Sequence, residues 1–198
     1  VEQVLVHFLN DPWYKGLAAD EPNYILRALV ARSSVDALPL HIDSFVPYEG
    51  DTVISMQAAF SLEGMTEANG ATLVVPGSHR SGRYFDPATD AADVVPVVAD
   101  PGDVVFWDSR IWHGAGPNRS GCTRWTLTAT FTRWWIKQAF RATERLPEEI
   151  YAHLTAKEKC ILGFASIPFL DESEGIDMRR GHDALLPRVD DYHRGSGS

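Results

Sequence analysis

Two cysteines, Cys122 and Cys160, in a chain of 198 residues cannot build a disulfide framework. The expectation is of reduced thiols and a cytoplasmic setting. No apolar run approaches the ~20 residues that a helix needs to cross a bilayer, and Val1-Glu2-Gln3-Val4-Leu5 lacks the charged-then-apolar layout of a secretion signal. Basic residues are in deficit: 18 Lys and Arg stand against 27 Asp and Glu, for a net charge of −9. That balance argues against phosphate-backbone binding as a main activity. Internal repeats and low-complexity tracts are lacking too, which excludes solenoids and arrays. What is left, at 44% hydrophobic residues, is one globular domain of ordinary size. Neither nucleic acid nor membrane is expected as a partner, and a homo-oligomer is left open.

Periodicity changes along the chain. Val4, Leu5, Phe8 and Leu9 have helical spacing, and so does a second candidate helix, Tyr24-Ile25-Leu26-Arg27-Ala28-Leu29-Val30. From residue 38 the signal is β: Thr52 to Leu62, Ala71 to Val75, Val94 to Val98, the apolar run after Pro101-Gly102-Asp103, and Arg124 to Phe131. Glu49-Gly50-Asp51, Asn69-Gly70, Pro76-Gly77 and Pro101-Gly102 separate these strands as turns. Many short strands with regular turns predict a sandwich or barrel over a parallel α/β sheet. After Ile136 helix returns, with Pro147 at a first helical position and Thr155 as the N-cap of a following helix. The polar stretch from Asp171 through Arg194 is expected to cover the mouth of the barrel or reach a neighbouring subunit. The terminal Gly195-Ser196-Gly197-Ser198 has linker composition and is set aside.

The chemistry concentrates at His41-Ile42-Asp43, at Trp112-His113 seventy residues on, and at Arg124 eleven after that. Side chains two apart on a strand share a face, so His41 and Asp43 can grip one ion while Ile42 turns away. Two imidazoles and one carboxylate are the donor set of the facial triad of non-haem Fe(II) oxygenases, although the same set also suits a zinc ion with one water. His-X-Asp alone is weak, and taken by itself an exposed ion pair at a strand end explains it better. Its context strengthens it: a Pro-Gly-Asp turn launches an apolar strand that delivers His113 into a Gly/Pro/Asn-rich turn. A hairpin with the next strand would bring the Arg124 guanidinium back toward His113, where its fork matches a carboxylate in bidentate fashion.

At these residues the chain resembles the phytanoyl-CoA dioxygenase (PhyH-like) family of Fe(II)/2-oxoglutarate-dependent oxygenases. The matching pieces are Leu40-His41-Ile42-Asp43, Asn69 through Arg80 with its Pro76-Gly77-Ser78-His79 run, Pro101-Gly102-Asp103, and His113-Gly114 through Asn118 to Arg124. The resemblance implies a mainly β fold, a double-stranded β-helix (jelly roll, cupin-like) with flanking N- and C-terminal helices. It implies a single oxygenase domain over 1–198, with a catalytic core at about 36–136 and a helical C-terminal extension at about 146–194. Iron is then held by His41, Asp43 and His113, while Arg124 anchors 2-oxoglutarate and O2 completes the cofactor set. The activity implied is hydroxylation of an unactivated C–H bond of a small metabolite, releasing succinate and CO2. Asp43 points away from the related halogenases, which carry alanine or glycine there. Family members usually carry a longer segment ahead of the His-X-Asp strand.

Several readings stay open. Gln57 and Thr72 are the polar strand residues expected inside the barrel, either as bonds to 2-oxoglutarate or as satisfied core groups. His79 is expected to stabilise its turn. Arg80 or Arg83 either holds an anionic substrate or is solvated surface, and Arg179 and Arg180 are read as surface. Trp107 and Trp112 read as core, and His7, His153, His182 and His193 as structural or exposed. The same iron would also serve desaturation, cyclisation or epimerisation, and a cupin-like binding protein without catalysis is the rival from another class.

Overall fold

A computed structural model describes residues 1–11, 21–33, 35–90 and 93–166. The chain divides into two compact units, Leu29–Thr130 and a second formed by Val1–Ala28 with Phe131–Ser198.

Among the described residues eight strands follow in order: β1 (Tyr24–Arg32), β2 (Leu38–His41), β3 (Ser55–Ser61), β4 (Thr72–Val74), β5 (Val95–Val97), β6 (Val104–Asp108), β7 (His113–Ala115) and β8 (Thr126–Arg133). They form two four-stranded sheets, ordered β1-β8-β3-β6 and β2-β7-β4-β5, with β2–β7, β3–β6, β4–β5 and β4–β7 all antiparallel. Apart from the β4–β5 hairpin, each strand is followed by one in the other sheet. That alternation is the winding of a double-stranded β-helix, the jelly roll expected from the sequence.

Register decides which side chains face the interior. Gln57 lies opposite Trp107 and Ala59 opposite Val105, so these four share a face. On the other sheet Thr72 pairs with Ala115 and Val97, and Val74 with His113 and Val95, which puts Thr72 on the His113 face. Between the sheets Met65, Ala71 and Ala99 form a buried cluster joined by Val97 and Val105. Full burial of a methionine such as Met65 contributes about 1.5–3 kcal/mol. The turn signals hold: Asn69 caps its own turn by accepting from the Thr66 N–H at 2.8 Å. Gly70 has φ +83°, and a Cβ there would sit 2.7 Å from the Gly116 carbonyl oxygen.

In the other unit, α1 (Glu2–Leu9) buries Leu5 and Leu9 as its spacing predicts. Three short helices follow: α2 (Ala142–Arg145), α3 (Glu148–Tyr151) and α4 (Ala156–Ile161). Thr155 caps α4 with a reciprocal capping box to Glu158. Pro147 stands at the N-cap of α3, one place ahead of the expected position. Tyr151 and Phe164 pack at 4.9 Å between ring centroids, with Leu146, Leu154 and Leu162 around them.

Two expectations are corrected. Tyr24 to Val30 is strand, not helix: an apolar run this short satisfies either period, and pairing with β8 decides for β1. The hairpin joining the His113 and Arg124 strands does not form. β7 pairs with β2 and β4 while β8 lies between β1 and β3, so the connection crosses from one sheet to the other. Arg124 itself precedes β8, which begins at Thr126. The polar stretch 171–194, with His182, His193, Arg179 and Arg180, lies outside the described residues. No helix among the described residues is long and apolar enough to cross a membrane.

Candidate metal centre

His41 and His113 lie directly opposite one another across the β2–β7 ladder, with ring centroids 4.3 Å apart. The ladder holds a bulge: Leu38 pairs with Ala115 and His41 with His113, three residues against two. A bulge re-aims a strand, and here it sets His41 on the His113 face. Gly114 makes the bulge possible, because a Cβ there would stand 2.4 Å from the Leu38 carbonyl oxygen and 3.1 Å from that of Pro39.

Backbone carbonyls fix both rings. His41 Nδ1 is 2.9 Å from the Pro39 oxygen, and His113 Nδ1 is 3.0 Å from the Ile111 oxygen. A carbonyl only accepts, so each Nδ1 carries a proton, and each Nε2 is left to bond Asp43 through a proton or a cation through its lone pair. Both Nε2 atoms converge on Asp43. His113 Nε2 lies 3.2 Å from Oδ2 and His41 Nε2 lies 3.6 Å from Oδ1. One ligand atom from each of the three falls within 4.8 Å of the others.

Asp43 sits just beyond the end of β2, so strand alternation alone does not place it. Its N–H and that of Ser44 donate to the Ser109 carbonyl at 2.8 and 3.1 Å. Ser109 is fully buried; its hydroxyl donates to Ser55 Oγ at 3.0 Å and accepts from Gln57 Nε2 at 3.3 Å. Next to it, Arg110 forms a buried ion pair with Asp108 at 2.7 Å, donates to the Gly50 carbonyl and lies over the Tyr48 ring. The His113 strand is pinned by Ser78, whose hydroxyl accepts from the Trp112 N–H at 2.7 Å and donates to the Val75 carbonyl at 2.7 Å. The bonds of the Pro-Gly-Ser-His turn thus come from Ser78, where the sequence pointed to His79. Ser78 lay inside the recognised run, but no local signal marked Ser109.

The electrostatics fit a cation. Burial pushes the Asp43 carboxyl upward, but hydrogen bonds from His113 and His41, with their charges, outweigh it and hold the group below the usual carboxylate range. The bond to Asp43 raises the His41 imidazole, against burial. Two neutral imidazoles and one carboxylate make a +1 site with a divalent metal. His41 and Asp43 side chains remain 37% and 35% exposed while His113 is at 7%, so the cluster is open on one side, as a site with exchangeable positions needs. Among the described residues no other group of three metal-type ligands forms.

Arg124 is buried at 7% exposure. It donates to Thr126 Oγ1 at 3.3 Å, its Nε has no partner, and burial lowers its pKa. No carboxylate among the described residues pairs with it. An unmatched buried cation is costly, so the position is suited to a bound anion. Gln57 is almost fully buried, with its amide bonded to Ser109 and, at 2.7 Å, to the Thr130 hydroxyl. Thr72 donates to Met65 Sδ at 3.7 Å. Arg83 is committed to Asp90 through two bonds of 2.7 and 2.5 Å, which takes up the charge weighed for an anionic substrate. Trp107 packs at 5.4 Å from the His113 ring.

Comparison with known proteins places this geometry. Residues 6–126 match the family described as phytanoyl-CoA dioxygenase (PhyH). The uncharacterized protein Rv1501 of Mycobacterium tuberculosis is 34% identical over 122 residues, covering 61% of this chain and 45% of that protein. Dioxygenase af480 of Aspergillus fumigatus is 31% identical over 147 residues, covering 72% and 48%. The chain thus spans about half the length of the curated relatives it matches. Among solved structures, the non-heme alpha ketoglutarate dependent epimerase SnoN from nogalamycin biosynthesis superposes with a TM-score of 0.49 at 22% identity, covering 63% of this chain and 55% of its own. A family match that begins in α1, crosses all three converging side chains and ends at the start of β8 takes in more than half of the chain, which belongs to the phytanoyl-CoA dioxygenase family of non-haem oxygenases.

Proposed function

We propose that the chain is an Fe(II)/2-oxoglutarate-dependent dioxygenase that hydroxylates an unactivated C–H bond of a small-molecule metabolite. One O2 and one 2-oxoglutarate would be consumed for each hydroxylated product, succinate and CO2 formed. The observation that carries this reading is the convergence of His41, Asp43 and His113 within 4.8 Å, with both Nδ1 atoms tied to carbonyls so that both Nε2 atoms face the carboxylate.

When bound, iron supplies the redox chemistry that activates O2 with the keto acid. His41, Asp43 and His113 would hold it, as the donor side chains that converge there. Arg124 neutralises the far carboxylate of 2-oxoglutarate, relieving an unmatched buried cation. Thr72 and Gln57 complete the wall of the co-substrate chamber, Gln57 with its amide already oriented by Ser109 and Thr130. In this reading residues 1–198 work as a single oxygenase domain with the catalytic core at about 36–136.

Anaerobic titration with Fe(II) and then 2-oxoglutarate, followed by succinate release in air, tests the assignment. Alanine at His41 or Asp43 should abolish iron uptake and turnover, and retained turnover would reject it. A wild-type chain that neither takes up Fe(II) nor decarboxylates 2-oxoglutarate would be a cupin-like binding protein instead. Product analysis separates hydroxylation from desaturation, cyclisation or epimerisation.

A further inference from the structure

Phe45 is described with a left-handed backbone, φ +64°, the one such non-glycine among the described residues. That region is unfavourable for a bulky side chain, and glycine or asparagine would occupy it more readily. The surroundings impose it. Asp43 and Ser44 are held by the Ser109 carbonyl, the Ser44 hydroxyl donates to the Val46 carbonyl at 3.1 Å, and the Tyr84 hydroxyl donates to the carbonyl of Phe45 itself. Yet the Phe45 ring is 66% exposed, as are Val46 at 66% and Tyr84 at 56%. Phe45 is thus a strained, exposed aromatic two residues from a metal-type carboxylate. Such outliers persist where the side chain serves a site.

Two loops make this rim, and each is anchored to a ligand-bearing segment. Ser44 to Val46 continue directly from Asp43. The segment 81–85 is fastened to Trp112, the neighbour of His113: the Trp112 indole donates to the Arg83 carbonyl at 3.1 Å, Phe85 meets its ring at 5.4 Å, and the Arg83 guanidinium covers it at 4.9 Å. The loops meet at Tyr84 on Phe45, and at Gly82 on Glu49, where a Cβ would stand 2.6 Å from Glu49 Cγ. Phe45, Val46 and Tyr84 bring no charge, Asp90 already balances Arg83, and the Glu49 carboxylate where the loops meet disfavours an anion.

We infer that Phe45, Val46 and Tyr84 form the substrate-recognition rim of the metal centre, and that the substrate is a neutral, largely apolar compound. The inference rests on the iron and 2-oxoglutarate reading, and it adds the substrate class that reading leaves open. Continuity with Asp43 and His113 selects a small molecule presented to the metal as the occupant.

The test uses the full chain loaded anaerobically with Fe(II) and 2-oxoglutarate. Its probes are neutral N-phenyl-1-naphthylamine and the sulfonated 1-anilinonaphthalene-8-sulfonate, read by fluorescence. The neutral probe should bind more tightly than the sulfonate, and Phe45→Gly or Val46→Ser should each weaken it at least about tenfold, from lost apolar contact. Leu62→Ala, at an exposed apolar residue just past the end of β3, should leave it unchanged. Phe45→Gly relieves the backbone, so its denaturation midpoint should equal or exceed wild type, and Val46→Ser carries the same test independently. Tighter sulfonate binding, no binding, or binding indifferent to both variants would overturn the inference. The charge-transfer band of iron-bound 2-oxoglutarate, read on the wild-type samples, keeps the two readings apart. A wild-type chain without that band overturns the iron reading whatever the probes do.

Discussion

Gly114→Ala adds one methyl group in the middle of β7, and the geometry specifies what it meets. The new Cβ would lie 2.4 Å from the Leu38 oxygen, 3.1 Å from the Pro39 oxygen and 3.2 Å from the Pro39 carbonyl carbon, all backbone atoms of the β2 bulge. Reaching even 3.0 Å requires β2 to retreat by about 0.6 Å. The Pro39 oxygen is the atom that orients His41 through Nδ1, so the retreat is transmitted to a metal donor. Overpacking of this kind costs about 1–3 kcal/mol of stability, and a misplacement on the order of 1 Å near reacting groups costs about a hundredfold in rate. We expect Gly114→Ala to stay folded with a lowered urea midpoint, to weaken Fe(II) binding and to cut succinate formation by roughly ten- to a hundredfold. Gly116→Ala is the matched control, because its Cβ meets nothing nearer than 3.7 Å. If the two variants bind iron and turn over alike, the bulge does not position His41 and the reasoning fails.

Arg124→Lys replaces a fork by a point charge, so the 2-oxoglutarate KM should rise about ten- to a hundredfold with the charge-assisted bond lost; an unchanged KM in initial-rate assays would assign the co-substrate to another residue. Ser78→Ala leaves the buried Trp112 N–H without its acceptor, and chemical denaturation should record a loss of about 1–3 kcal/mol. Tyr24 is buried near Glu2, and burial first, then the Glu2 charge, pushes its hydroxyl up to about 12 from 10.0. A raised folded pKa means that its stabilisation is whole below pH 10 and drains away as pH climbs toward 12, at up to about 1.4 kcal/mol per unit. Tyr24→Phe should flatten that alkaline fall in denaturation midpoints taken across pH 9–12, and an unaltered slope would assign it to other groups.

The convergence of His41, Asp43 and His113 was legible because its information is chemical: two imidazoles and a carboxylate mean little except together. Thr155 was legible for a similar reason, since a capping box is written within four residues. The β1 strand was not, because Tyr24 to Val30 satisfies both periods and only β8 alongside it breaks the tie. Nor was the destination of Arg124: a turn rich in Gly, Pro and Asn announces a reversal but not whether the chain returns to the same sheet or crosses to the other. Asp43 shows a right expectation reached by partly different means. It meets His41 through the grip of Ser109 on the chain beyond β2, and an unremarkable serine 66 residues away carries no trace of that task.

One consequence follows from His41 and His113 being cross-strand neighbours. A slip of β2 against β7 by a single residue would turn one imidazole to the opposite side of its sheet, so no partly shifted pairing keeps both donors on a common ion. Iron uptake therefore reports in all-or-none fashion on the alignment of those two strands, and a refolding chain should regain its metal in one step, when that ladder closes.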